Sequence, residues 1–218
     1  MDFELFDPTL DVRITAGNLP HWYQPGVTYF ITFRSDDSFP ADIAELWRRR
    51  RDDWLRRQGI EPAEEGWKTR LGTLPERQQR EFHNEFSREF LDHLDRGRGD
   101  CLLRRPAAAK VVADALRHFD RERYLLGDFV VMPNHVHLLA CLLGDTDLER
   151  LCFSWKKFTA TQINRLTGRH GRFWHEESFD HLVRSPEQFE HLRRYIAANP
   201  AKAALGEGEF LLWRRPAQ

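Results

Sequence analysis

The chain has 218 residues, 41% hydrophobic and 31% charged, a balance that excludes the low-hydrophobicity, high-charge signature of disorder. Its 33 Lys and Arg offset 34 Asp and Glu to a formal net charge of -1, so whole-chain electrostatics gives no reason to expect a polyanionic partner and any basic surface must be local. The length suits one domain, 1–218, with an elaborated insertion, and Cys101, Cys141 and Cys152, odd in number and without CxxC spacing, argue against a disulfide framework or a structural zinc site.

The opening MDFELFDPTLDVRITAG carries acids where a signal peptide needs a basic start and an apolar core. No segment approaches the roughly twenty apolar residues that span a bilayer. A soluble cytoplasmic protein without membrane contact is expected. VTYFITFR at 27 to 34, rich in β-branched and aromatic residues and entered from Pro25-Gly26, predicts the first core strand. From Pro40 to about Gly59 the pattern is that of a charged helix with Ile43, Leu46, Trp47, Trp54 and Leu55 on its apolar face. The run Arg48 to Arg51 reads as a solvated face, because Asp52 and Asp53 follow at once.

Residues 60 to 74 read as a loop, and Phe82, Phe86, Phe90 and Leu94 then recur every four residues along a second charged helix, a packing stripe. A third helix is expected over Pro106 to Phe119, with Pro106 in its first turn and Val112, Ala115, Leu116 and Phe119 facing inward. The segment 40 to 100 reads as a helical insertion after the first strand. Tyr124 to Met132 and His135 to Cys141 form a long apolar run that suits a buried strand with a bulge at Pro133-Asn134. Helix follows over about 147 to 167. Another begins at Ser185, where S-P-E-Q has capping-box form, and should stop before Pro200.

In PNHVHLL, strand alternation projects His135 and His137 from one face and Val136 and Leu138 from the other. Such a pair can hold a metal, or it can be purely structural, and a metal needs a third group. Leu139 stands where the histidine-triad nucleotide hydrolases would carry another His. On the helix from Pro186, Phe189, Leu192 and Ile196 form the buried stripe, while Gln188, Tyr195 and Asn199 share one flank. A phenol and an amide oxygen one turn apart could offer a nucleophile and a metal ligand to the same point. The plainer alternative is a tyrosine at the edge of the core with its hydroxyl in water. A tyrosine nucleophile suits a phosphodiester that is broken and later rejoined, because the phosphotyrosine ester conserves the bond energy. Its ordinary pKa near 10 demands a group that favours the phenolate and neutralises the scissile phosphate, a role for a divalent metal.

The third region is SWKKFTATQINRLTGRHGRFW, residues 154 to 174, with Lys156, Lys157, Arg165, Arg169 and Arg172 and no acid. Trp155, Phe158, Phe173 and Trp174 are interleaved, as in surfaces where phosphates meet cations and unpaired bases stack on rings, although some of these rings must belong to the core.

Taken together, the H-x-H of PNHVHLL, the segment WKKFTATQINRLTGRHGRFWHEESFDHLVR and the ending RRYIAANPAKA closely resemble the REP-associated tyrosine transposases, a branch of the single-tyrosine HUH transposases. The resemblance is dense from about 121 to 205, reaches back to PHWYQPGVTYFITFR at 20 to 34, and leaves 40 to 100 poorly covered. It implies an α+β fold, a ferredoxin-like antiparallel sheet with helices on one face. It implies a metal pair, His135 and His137, on a central strand; Tyr195 as nucleophile; Asn199 as a third ligand; and magnesium or manganese as the metal. Trp155, Lys156, Lys157, Arg165, Arg169 and Arg172 are the expected DNA contacts. The partners implied are single-stranded or hairpin DNA from repetitive extragenic palindromes, cut through a 5′-phosphotyrosine link by a monomer or homodimer. A domesticated hairpin-binding protein without cleavage activity is the alternative.

Overall fold

The computed structural model describes residues 2–15, 21–64 and 66–216. Its elements are β1 (Arg13–Thr15), β2 (His21–Tyr23), β3 (Thr28–Arg34), α1 (Ala41–Arg57), α2 (Trp67–Gly72), α3 (Glu76–Phe82), a π-helical turn (His83–Ser87) and α4 (Arg88–Asp95). After a 3-10 turn (Leu102–Arg104) come α5 (Pro106–His118), β4 (Tyr124–Val131), β5 (His135–Leu142), α6 (Leu148–Thr167), β6 (Phe179–Leu182), α7 (Pro186–Lys202) and β7 (Leu211–Trp213).

β1 and β2 pair as a separate antiparallel ribbon, and the other five strands form an antiparallel sheet in the order β6-β3-β5-β4-β7. The path β3-α5-β4-β5-α6-β6 through that order is a ferredoxin-like βαββαβ unit, so the α+β class holds. The crossover helices α5 and α6 pack together on one face. Helix α7 covers the other, against β4 and β5, so helices lie on both faces of the sheet rather than on one as expected, because β5 and β3 carry apolar residues on both sides.

Period-two alternation divides β3 between two cores. Tyr29, Ile31 and Phe33 face α5 and α6, whereas Phe30, Thr32 and Arg34 face the α7 side. The strand is buried on both faces, which is why it reads as a nearly unbroken apolar run. On β5 the same alternation sends Val136, Leu138 and Ala140 to the first core and leaves His135, His137 and Leu139 for the second.

The apolar stretch 124 to 141 is not one strand. It folds back at Pro133-Asn134, where the Met132 amide donates to the His135 carbonyl at 2.8 Å, into the hairpin β4-β5. Pro133 has no N–H for a ladder, so it suits a turn. The bulge lies instead between Leu126 and Phe129, where Gly127 and Asp128 oppose Leu139. A Cβ on Gly127 would meet Leu139 Cβ at 2.7 Å, so the close approach requires glycine there.

Residues 39 to 94 build a core of their own around Trp47, Trp54, Leu55, Trp67, Phe82 and Phe86. The 60–74 segment is not all loop, because Trp67 and Leu71 reach that core from α2; Leu46, by contrast, turns outward. Arg48, Arg49 and Arg50 form exposed ion pairs with Glu45, Glu85 and Glu89. Arg51 departs from the solvated reading: it is buried with its guanidinium over the Trp47 and Trp67 rings, at 5.5 and 5.2 Å.

α7 starts as expected, with Ser185 Oγ accepting from the Gln188 amide, but it continues through Pro200 to Lys202. In the last turn proline forfeits a single backbone bond, and its own burial with Leu192 and Ile196 offsets that loss. Among the described residues no helix is long and apolar enough to cross a membrane.

Candidate metal and tyrosine site

His135 and His137 are fully buried on the β5 face that α7 covers. Their Nε2 atoms converge to 3.0 Å. Their Nδ1 atoms are held from outside. Asn134 donates through Nδ2 to the Arg98 carbonyl at 2.8 Å, which turns its Oδ1 toward His135 Nδ1 at 2.7 Å. A carbonyl oxygen only accepts, so His135 carries its proton on Nδ1 and aims a lone pair from Nε2 at its neighbour. Thr32 Oγ1 sits 2.7 Å from His137 Nδ1.

The third group comes from the insertion. Asp95, the last residue of α4, brings Oδ1 to 3.5 Å from His135 Nε2 and 4.0 Å from His137 Nε2. One donor atom from each of Asp95, His135 and His137 lies within 4.8 Å of the others, a group that could hold a metal ion. Asp95 Oδ1 is buried without a hydrogen-bond partner among the described residues. Burial, and then the neighbouring His135, push the His137 pKa down to about 4, so the imidazole is neutral and its nitrogens are available as ligands.

Tyr195 approaches from α7, its ring centred 5.3 Å from His137 and 5.9 Å from Phe30. Its hydroxyl is buried without a hydrogen-bond partner among the described residues. Burial, followed by the Asp95 charge, raises its pKa, so the phenol is protonated at neutral pH. Lys202 Nζ lies 4.5 Å from the centre of the same ring. Asn199, one turn beyond Tyr195, is fully buried, and neither its amide oxygen nor its nitrogen has a partner among the described residues.

The structure thus brings His135, His137 and Tyr195 together and puts Asn199 one helical turn from the tyrosine. It does not join the basic segment to them. Trp155 is a core residue, 3% exposed, donating from Nε1 to the Tyr124 hydroxyl at 3.2 Å, and is corrected from a DNA contact to packing. It falls on the α6 stripe Leu148, Leu151, Cys152, Trp155, Thr159 and Ile163, whose helical spacing marks the face turned to the sheet. Lys156 is half-buried and donates to the Glu176 carbonyl. Lys157 lies by the exposed Phe153 ring, Arg169 pairs with Asp100, and Arg172 is 3.7 Å from Glu176. Arg165 is exposed. α6 lies across the sheet from α7, so Lys156, Lys157 and Arg165 are carried by the helix on the face away from Tyr195, while Arg169 and Arg172 lie beyond its end, by Asp100 and Phe173.

The sequence reading missed Asp95, Asn134 and Thr32. Thr32 was recoverable, since it shares a face with Phe30 on the neighbouring strand and pairs in register with His137. Nothing local marks Asp95 among the many acids of the insertion.

No protein-family model matches the chain, and no curated protein does. Among solved structures it is similar to that of a REP-associated tyrosine transposase bound to a REP hairpin. The identity is 17% and the TM-score 0.44, covering 86% of this chain and 74% of that one.

Proposed function

We propose that the protein is a metal-dependent enzyme that nicks single-stranded DNA beside a hairpin and rejoins it through Tyr195, working in the cytoplasm as a monomer or homodimer. The observation that carries this reading is the Tyr195 phenol, unpartnered, against His137 of a convergent His-His-Asp group. The motif resemblance supports it. Both sides of the site come from one chain, which favours a self-contained centre.

The residues fit a divalent cation. Asp95 Oδ1 is buried without a donor and faces two imidazole nitrogens, and the unpartnered Asn199 oxygen offers a fourth group. A mixed nitrogen and oxygen set suits manganese better than magnesium. When bound, the cation supplies charge neutralisation at the scissile phosphate. Asn134 and Thr32 fix the two imidazoles from outside, so the ligand atoms are pre-oriented.

Tyr195 Oη attacks phosphorus, the 3′ oxygen departs and takes a proton from solvent, and the phenol proton is lost to solvent. The products are a 5′-phosphotyrosine and a free 3′ hydroxyl, and reversal of the step rejoins a strand. Lys202 places its ammonium group over the ring of the attacking residue.

The test is incubation of labelled single-stranded hairpins, REP-type first, with manganese or magnesium, followed by a denaturing gel. A covalent shift is expected with the natural chain and none with Tyr195→Phe. Adduct retained by Tyr195→Phe, or absent from every hairpin tried, overturns the proposal. Tight binding indifferent to chelator and without adduct would identify a non-cleaving hairpin binder instead.

A further inference from the structure

Tyr195 stands on the wall of a groove of about 830 Å³. One wall is α7, where Gln188, His191, Tyr195, Ala198 and Lys202 recur at helical spacing and Ala198 leaves room beside the tyrosine. The floor is the edge strand β6, with Phe179 and His181 on one face of the strand. The opposite wall belongs to the insertion, through Phe82, Asn84, Arg88 and Asp92.

The cations of this groove set it apart. Most arginines along the insertion are neutralised, as Arg49 is by Glu45, Arg50 by Glu89, Arg70 by Glu64 and Arg77 by Glu81. Arg88, facing the groove, has no carboxylate within ion-pair distance among the described residues, and neither do Arg194 and Lys202 on the opposing helix. Two acids, Asp92 on the insertion wall and Asp180 on the strand, also line the space, against Arg88, Arg184, Arg194 and Lys202. Unpaired cations on two walls, with a partly exposed ring and an imidazole between them, are what a strand of phosphates and unpaired bases requires. The space is of ligand-site size and lies between helices, on the scale of a few unpaired nucleotides.

We propose that this groove holds the unpaired nucleotides adjoining the cleaved bond, and that α3–α4 of the insertion is its second wall. This rests on the reading of Tyr195 as the cleaving residue, and it makes the insertion part of the substrate site as well as the source of Asp95.

The experiment uses the full chain in chelator, with a fluorescein-labelled short oligothymidylate as probe and fluorescence anisotropy as readout. Arg88→Glu and Arg194→Glu are each expected to weaken binding by about tenfold and to make its salt dependence shallower. Lys110→Glu, exposed on α5, is the control and should change binding little. Arg88 and Arg194 are exposed and have no ion-pair partner among the described residues, so thermal unfolding should match the natural chain, and Arg88→Gln and Arg194→Gln should give intermediate affinities. Unchanged affinity in Arg88→Glu overturns the second wall, whatever Arg194→Glu does. The two proposals fail separately. Adduct formation by Arg88→Glu with an unaltered concentration dependence overturns the groove and leaves Tyr195 standing. Groove-dependent oligothymidylate binding in a chain that forms no adduct does the reverse.

Discussion

Asn134 accepts a hydrogen bond from His135 Nδ1 at 2.7 Å while donating to the Arg98 carbonyl at 2.8 Å. One turn residue therefore orients a candidate ligand and anchors the end of the insertion that delivers Asp95. Asn134→Ala is expected to weaken manganese binding by about 10- to 100-fold. It should also cost about 1–3 kcal/mol of stability, because buried partners are left unpaired. Asn134→Asp keeps the acceptor for His135 and loses only the donor to Arg98, so it should retain more metal affinity than the alanine variant. Titration calorimetry with manganese separates the two, and equal affinities in Asn134→Ala and the natural chain would sink the argument.

The buried Tyr195 hydroxyl has no hydrogen-bond partner among the described residues. Burying an unsatisfied polar group costs free energy, so its removal should not. Tyr195→Phe is expected to unfold at the same temperature as the natural chain or higher, while losing all covalent adduct. A clear drop in melting temperature would mark the hydroxyl as structural.

His137 titrates near 4 in the folded chain, against an ordinary value of 6.5, because burial disfavours its charged form. Below pH 6.5 the unfolded chain takes up a proton that the folded chain refuses. The sign follows: stability present above pH 6.5 is lost progressively as pH falls toward 4, by roughly 3 kcal/mol. His93 and His175 are shifted in the same direction by burial and add to the slope. Urea unfolding in chelator across that window should show the decline, and His137→Gln should flatten it. A slope unchanged by that substitution would refute the assignment.

Periodicity made much of this legible. Alternation on β5 put both histidines on one face, and the helical phase of α7 put Tyr195 and Asn199 on one flank, because these are properties of a single element. What periodicity lacks is knowledge of which segment docks on a face. Trp155 is apolar, aromatic and set among cations, and only the α6 stripe distinguishes a core ring from a stacking platform. The hairpin at Pro133-Asn134 was hidden because two central strands, each buried on both faces, read as one run.

Asp95 is the sharpest case, since it meets His135 only through the folding of the insertion. Asp95→Asn preserves shape and removes charge. It should lower manganese affinity by at least about tenfold, because a carboxylate is the strongest hard donor in the group. It should also lower the Tyr195 pKa, since the Asp95 charge is part of what raises it. Spectrophotometric titration of the metal-free chain would register that fall, using variants that each retain a single tyrosine. Asn199→Ala offers the contrast. It deletes two buried, unpartnered polar atoms, so metal-free stability should hold while manganese affinity falls by less than in Asp95→Asn. If instead Asn199→Ala abolishes binding and Asp95→Asn leaves it intact, the ligand set lies wholly within the βαββαβ unit and α7, and the insertion serves the strand rather than the metal.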